Sequence, residues 1–247
     1  LRARRRESSL GLIDPEFGTK DAVKVSEDAL AGRIGIEFGA WWNPSWPLQT
    51  SRIKDPQCDW VPMNILSADN KPALAQYGCA VGSFIVANKD FQHPEALVKM
   101  MNMWTGVVLH PSVDKALKYV ANFNNPGVVY YKYITVMAWE PNGNIKKWEH
   151  IRDAIQTGKL DGLTLEEQLT LEVIDKYTKG DTTKWEGYIE HGPAGSMGCI
   201  AKVRDGAGLC NLFYGAATPV MTEKMPALVK LQDETITNII LGADLDA

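Results

Sequence analysis

Between Gly39 and Pro47 the chain reads Gly-Ala-Trp-Trp-Asn-Pro-Ser-Trp-Pro, three indole rings interleaved with two prolines. Each proline fixes its own φ and withholds a backbone donor, so neither a helix interior nor a central strand passes through. Trp41, Trp42 and Trp46 are therefore expected on or beside a loop. Just upstream, Ile34, Ile36 and Phe38 alternate with Gly35 and Glu37, which predicts a strand over residues 34–38. In open α/β sheets ligands gather beyond the carboxyl ends of strands. The Trp41-Trp42 loop leaves such an end.

The rest of the chain supplies the surroundings. Asp21 opens a helical pattern with Ala22, Val25 and Ala29 on one face and Gly32 just past its end. Residues 51–72 read as loop and short strand, punctuated by Pro56, Pro62 and Pro72. Residues 81–87, Val-Gly-Ser-Phe-Ile-Val-Ala, form a nearly continuous apolar run that suits a buried strand. Pro94 sits well for a first helical turn. Leu97, Met100, Met101 and Trp104 then recur at helical spacing before Gly106, and this stripe reads as core packing. Residues 107–190 look mainly helical and irregular. Thr164 and Glu167 make a capping box, and Leu165, Leu169, Val173 and Tyr177 follow four apart on an expected buried face. Gly192 to Gly198 is a glycine-rich loop. A last helix carries Leu228, Leu231, Ile236, Ile239 and Ile240 and stops near Gly242. This order of elements indicates an α/β architecture.

Composition narrows the function classes. With 247 residues, 45% of them hydrophobic, a sizeable core is available in one domain or two lobes. A net charge of -4 gives no reason to expect nucleic acid or an anionic membrane as a partner. No run of about 20 apolar residues is present to span a bilayer. The basic start, Leu1 to Glu7, reads as a solvated, disordered or artefactual leader, and the absence of an initial Met favours a fragment. Cys58, Cys79, Cys199 and Cys210 form no C-x-x-C pair and have no histidine at zinc spacing. Small buried residues are the simpler reading, with a disulfide left open.

No phosphate-binding, dinucleotide-binding, zinc-protease or serine-hydrolase motif occurs. His93, His110, His150 and His191 are scattered. The Glu166-Glu167 pair falls on an expected exposed helix face, which reads as a solvated surface and not as a glycosidase acid and base. No catalytic residue, metal ligand or cofactor is expected. What remains is aromatic. An indole face covers the C–H face of a pyranose while polar neighbours bind its hydroxyls, and a cleft combines an apolar wall with a few placed polar groups. Asn43 and Ser45 lie beside the rings to supply those contacts. The alternative is that the rings pack between loops.

Gly11-Leu-Ile-Asp-Pro-Glu-Phe17 and then Gly32-Arg-Ile-Gly-Ile-Glu-Phe-Gly-Ala-Trp-Trp42 resemble the extracellular solute-binding proteins of family 1, the LplA-like sugar-binding lipoproteins of Gram-positive bacteria. Asp59-Trp-Val-Pro62, Gly82-Ser-Phe-Ile-Val86, His93-Pro-Glu-Ala96 and Phe213-Tyr-Gly-Ala-Ala-Thr-Pro-Val-Met221 continue the series in the same order. The resemblance runs from about residue 11 to the end. It implies a type II periplasmic-binding fold, in which two α/β lobes joined by crossing strands close on a ligand. It implies a carbohydrate ligand, an oligosaccharide above all, and delivery to the permease subunits of an ABC importer. It also implies a monomer on the extracellular face of the membrane, held there by a lipid anchor missing from this chain. A glycan-active enzyme or a ligand sensor on the same aromatic cleft are the alternatives.

Carried over by position, the ligand-binding residues are Trp41, Trp42, Asn43, Trp46, Tyr77, Tyr214 and Thr218. The resemblance divides the chain into a leader (residues 1–10), the first part of the C-terminal lobe (11–79) and a crossing strand (80–83). An N-terminal lobe remnant, mostly helical, follows (84–190), and then a return to the C-terminal lobe (191–247). Relatives are longer, so the chain reads as a fragment lacking most of the N-terminal lobe. Met225 stands where relatives often carry Trp.

Overall fold

The computed structural model describes residues 2–67, 73–78, 84–109, 136–213 and 215–244, with positions 69, 71, 115 and 118 between them. Along the chain the elements are α1 (Arg2–Ser9), α2 (Ala22–Leu30), α3 (Gln49–Lys54), β1 (Ala75–Tyr77), α4 (Glu95–Trp104), α5 (Gly143–Thr157), α6 (Leu165–Thr178), α7 (Trp185–His191), α8 (Ser196–Lys202), β2 (Gly208–Cys210) and α9 (Pro219–Ile240). They fall into two compact units, Leu1–Ile36 with Phe213–Ala247, and Glu37–Leu212.

In the first unit α2 starts as expected. Asp21 caps it by accepting from the Lys24 N–H at 2.9 Å, and it ends before Gly32, whose φ of +69° suits glycine. Asp28 is buried on this helix and is held by two cations, Lys20 Nζ at 2.6 Å and the Arg33 guanidinium. Lys20 also reaches Asp14. Hydrogen bonds from Lys20, then Arg33, hold the Asp28 carboxyl below its usual range. Within residues 1–10, expected to be a disordered or artefactual leader, Arg2–Ser9 form α1, which lies against α9. Thr218 caps α9 by accepting from the Met221 N–H at 3.2 Å, with Pro219 in the first helical position. Only the end of this helix is buried, at Ile239 and Ile240. Leu228 and Leu231 face solvent.

The second unit is built on helices. Ile145, Trp148, Ile151 and Ala154 give α5 a buried stripe at three-residue spacing. Met197 and Ala201 of α8 pack on Ile145 and Trp148 to make its core, and Trp41 packs against them. The capping box opens α6 as predicted. Thr164 Oγ1 accepts from the Glu167 N–H at 3.3 Å, and Glu167 Oε2 accepts from the Thr164 N–H at 2.7 Å. The expected exposed acidic face is corrected here. Glu166 is exposed, but Glu167 is buried, and its second oxygen pairs with His150 Nδ1 of α5 at 2.7 Å. A capping carboxylate must turn back over its own first turn, which aims it at the helix packed there. Leu165, Leu169, Val173 and Tyr177 are half-buried, while Ile174 is the buried apolar residue of α6. On α4 the stripe expected as core is buried only at Trp104, edge-to-face with Trp139 at 5.0 Å. Met101 is exposed.

The strands differ most from expectation. Residues 34–38 form no strand, and Ile36 and Phe38 are 78% and 75% exposed. Alternation marks a surface fit for a sheet, but a strand exists only where a neighbour completes its ladder. No described segment does so here. Of the expected strand 81–87, residues 84–87 are irregular and the rest lie outside the described residues, as does the expected crossing strand 80–83. Among the described residues the strands are β1 and β2, parallel, with Ala75 opposite Gly208 and Tyr77 opposite Cys210. A Cβ at Gly208 would sit 2.7 Å from both the Tyr77 ring and the Val203 carbonyl, so only glycine admits this pairing. The described residues are thus predominantly helical with one two-stranded sheet, and the two-lobed α/β fold stays an expectation.

Replacing Glu167 with Ala removes the reciprocal half of the capping box and leaves His150 unpaired. The expected loss of stability is about 2 kcal/mol, against at most about 0.5 kcal/mol for Glu166→Ala on the exposed side. Urea denaturation followed by circular dichroism compares the two. Equal losses would contradict the double role of Glu167.

Candidate ligand-binding site

The tryptophan segment folds by its own polar contacts first. The Asn43 side chain accepts from the Ala40 N–H at 3.0 Å and donates to Glu37 Oε1 at 3.1 Å. This closes the chain over Gly39, where a Cβ would lie 1.7 Å from Asn43 Nδ2. A turn over Pro44–Leu48 follows, interrupted at Trp46, whose backbone is extended (φ −155°, ψ 127°). The prolines thus exclude a regular helix, as expected, yet Pro44, Pro47 and Leu48 are buried and lead straight into α3.

Two serines then dock the segment on α7 and α8. Ser45 donates twice to one oxygen of Glu190, from Oγ at 2.6 Å and from its N–H at 3.3 Å. Ser196, the first residue of α8, donates to the Trp41 carbonyl at 2.7 Å. The Trp41 ring meets His191 edge-on at 6.1 Å and lies on the α5–α8 core. Docking splits the three indoles by role. Trp41 is packed inward, while Trp42 and Trp46 remain 45% and 47% exposed.

The turn under the segment depends on glycine for a steric reason. Trp148 Nε1 donates to the Gly192 carbonyl at 3.0 Å, and the chain turns sharply from Gly192 to Gly195. A Cβ at Gly195 would lie 2.6 Å from the Glu190 carbonyl and 2.8 Å from that of Ile189. Backbone atoms cannot yield there, so the turn requires glycine. It places Glu190 and His191, 8% and 7% exposed, under the segment.

Burial sets the electrostatics. It pushes the Glu190 carboxyl up to about 7, with the Ser45 hydroxyl pulling the other way. It drives His191 down to about 3. Glu186 of the same helix and Glu37 of the segment are also raised by burial. Lys147 of α5 contributes a positive charge that acts on both Glu190 and His191. His191 Nδ1 stands 3.8 Å from Glu190 Oε2. Near pH 6 the pair is therefore a neutral acid beside a neutral imidazole. Among the described residues no three His, Cys, Asp or Glu side chains are placed to hold a metal ion. Cys58, Cys199 and Cys210 are half-buried free thiols, short of the buried reading, and Cys79 lies outside the described residues.

Of the remaining expected site residues, two are described. Tyr77 is half-exposed on β1, Thr218 is the cap of α9 in the other unit, and Tyr214 lies outside the described residues. Trp41, Trp42, Asn43 and Trp46 stay together, but Asn43 spends its amide inside the segment. Sequence reasoning missed Glu190, His191 and Ser196. Ser196 stood in the glycine-rich stretch, but nothing local announces a carboxyl that binds a serine 145 residues away.

The two raised and lowered groups give opposite pH dependences. Between 4.5 and about 7 the folded chain binds more protons at Glu190 than the unfolded chain, so this contribution to stability falls as pH rises. Between 6.5 and about 3 it binds fewer at His191, so that contribution falls as pH drops. Each slope is at most about 1.4 kcal/mol per pH unit, and in the shared window the two oppose each other. Relative to the wild type, Glu190→Gln should gain stability as pH rises from about 4.5 to about 6.5, and His191→Phe should lose it. Urea midpoints across that window check this, and differences of the same sign would contradict it. Compared with protein-family models, curated proteins and solved structures, the chain gives no match to any of the three.

Proposed function

We propose that this chain belongs to the substrate-binding component of a bacterial ABC importer and that Trp42 and Trp46 stack on a carbohydrate, probed most directly with oligosaccharides. The observation that carries the reading is the division among the indoles. A segment docked through Trp41, Ser45 and the Trp41 carbonyl holds two neighbouring rings half-exposed. Rigid aromatic surface binds at a small entropic penalty because little remains to be ordered. An indole face also matches the C–H face of a sugar ring. The ordered motifs from Gly11 to Met221 support the same reading and extend it to a two-lobed cleft, a lipid anchor and a permease that receives the ligand.

The polar groups favour binding without chemistry. A glycosidase needs two carboxyls facing the sugar, roughly 5–10 Å apart. Glu190 is committed to Ser45, and one Glu37 oxygen is committed to Asn43. Their work is to shape the segment, and the ligand leaves unchanged.

Calorimetric titration of an oligosaccharide panel into the chain tests the proposal. Trp42→Ala or Trp46→Ala should weaken binding about five- to tenfold, the equivalent of roughly 1 kcal/mol, with the melting temperature unchanged. Trp41→Ala should instead lower the melting temperature, because its ring is part of the core. A panel without any binding sugar, or affinity indifferent to both outward rings, would contradict the carbohydrate reading.

A further inference from the structure

A second concavity lies away from the tryptophan segment. A cavity of about 690 Å³ opens between the end of α5, the outer face of α6 and the middle of α7. None of Trp41, Trp42, Asn43 or Trp46 lines it. Its size is that of a small-molecule pocket. Ile155, Leu171, Ile174 and Tyr188 form an apolar floor. Tyr188 is fixed as a firm wall by stacking on Tyr177, with ring centroids 4.5 Å apart and planes 27° from parallel.

The rim has one sign of charge. Asp161, Glu172 and Asp175 line it, and no lysine, arginine or histidine does. Glu172 and Asp175 pair with Lys176 and Lys179, each at 2.6 Å and four residues along the same helix. Such exposed pairs on one helix are weak and are readily traded for a better-placed cation. Asp161 has no ion pair among the described residues, and the backbone around it follows α5 into the α6 cap. An anion entering here meets three carboxylates, and a wholly polar ligand leaves the apolar floor uncovered. An apolar body carrying a positive charge satisfies both surfaces at once.

We propose that this cavity binds an organic cation with an apolar body, such as an aralkyl amine. The charged group sits at Asp161 and the Glu172–Asp175 rim, and the body covers Leu171, Ile174 and Tyr188. This site is independent of the carbohydrate reading and of its residues.

Three probes of matched shape test it on the full chain by ligand-observed NMR: phenethylamine, its neutral counterpart 2-phenylethanol, and the anion 3-phenylpropionate. Saturable binding of the amine alone is expected, weakening as salt is added. Asp161→Asn should raise the amine's Kd at least about threefold, and Leu171→Trp should abolish binding by filling the floor. Trp42→Ala should leave it unchanged, which separates this cavity from a cation resting on an exposed indole. The proposal is overturned if the three probes bind alike, if the amine fails to saturate, or if binding is lost with Trp42→Ala and kept with Asp161→Asn. Because Asp161 is an exposed loop residue, a circular dichroism spectrum unchanged in D161N ties the loss to the site and not to unfolding.

Discussion

One carboxyl group decides where the tryptophan-rich segment lies. Glu190 sits at the end of a seven-residue helix, buried among other side chains, and takes two hydrogen bonds from Ser45, 145 residues upstream. Charged, it would be costly to bury with so few donors. Burial therefore favours its neutral form, which a hydroxyl and an amide can satisfy. Everything outward of that contact follows. Ser196 secures the Trp41 carbonyl, Trp41 packs against the α5–α8 core, and Trp42 and Trp46 are left facing solvent. The glycines at 192 and 195 matter because they let the chain reverse tightly enough to bring both Glu190 and Ser196 to one segment.

The parts legible in the sequence are those set by neighbours in the chain. The cap of α2 by Asp21, its stop at Gly32, the Thr164–Glu167 box and the end of α9 before Gly242 were all readable, since each is a contact within four residues or a local backbone demand. The irregular course of the Trp41–Pro47 stretch was readable for the same reason, from two prolines. Its burial was not. Pro44, Pro47 and Leu48 are inside because α7 happens to lie there, and sequence proximity carries no trace of that.

The misread elements share a cause. Alternation over residues 34–38 predicted a strand, but a ladder needs a second strand, and Ile36 and Phe38 instead stand in solvent. The strands that formed, Ala75–Tyr77 and Gly208–Cys210, are three residues each and show no period to read. Their pairing rests on a glycine that lets Tyr77 approach. Glu167 looked like half of a solvated acidic pair because helix-face reasoning ignores what a capping side chain does, which is to fold back toward the packed neighbour. Periodicity reports which face could be covered. Which face is covered depends on partners far along the chain.

Ser45 and Glu190 act as one unit in docking the aromatic segment. A double-mutant cycle with Ser45→Ala and Glu190→Leu, read from urea denaturation of the four proteins near pH 6, measures that coupling directly. The hydroxyl bond to a buried carboxyl, the one of the two that Ser45→Ala removes, predicts a coupling energy of about 1 kcal/mol. Losses that add to within about 0.3 kcal/mol would show that the two side chains act independently, and that the segment is held in place by something other than this contact.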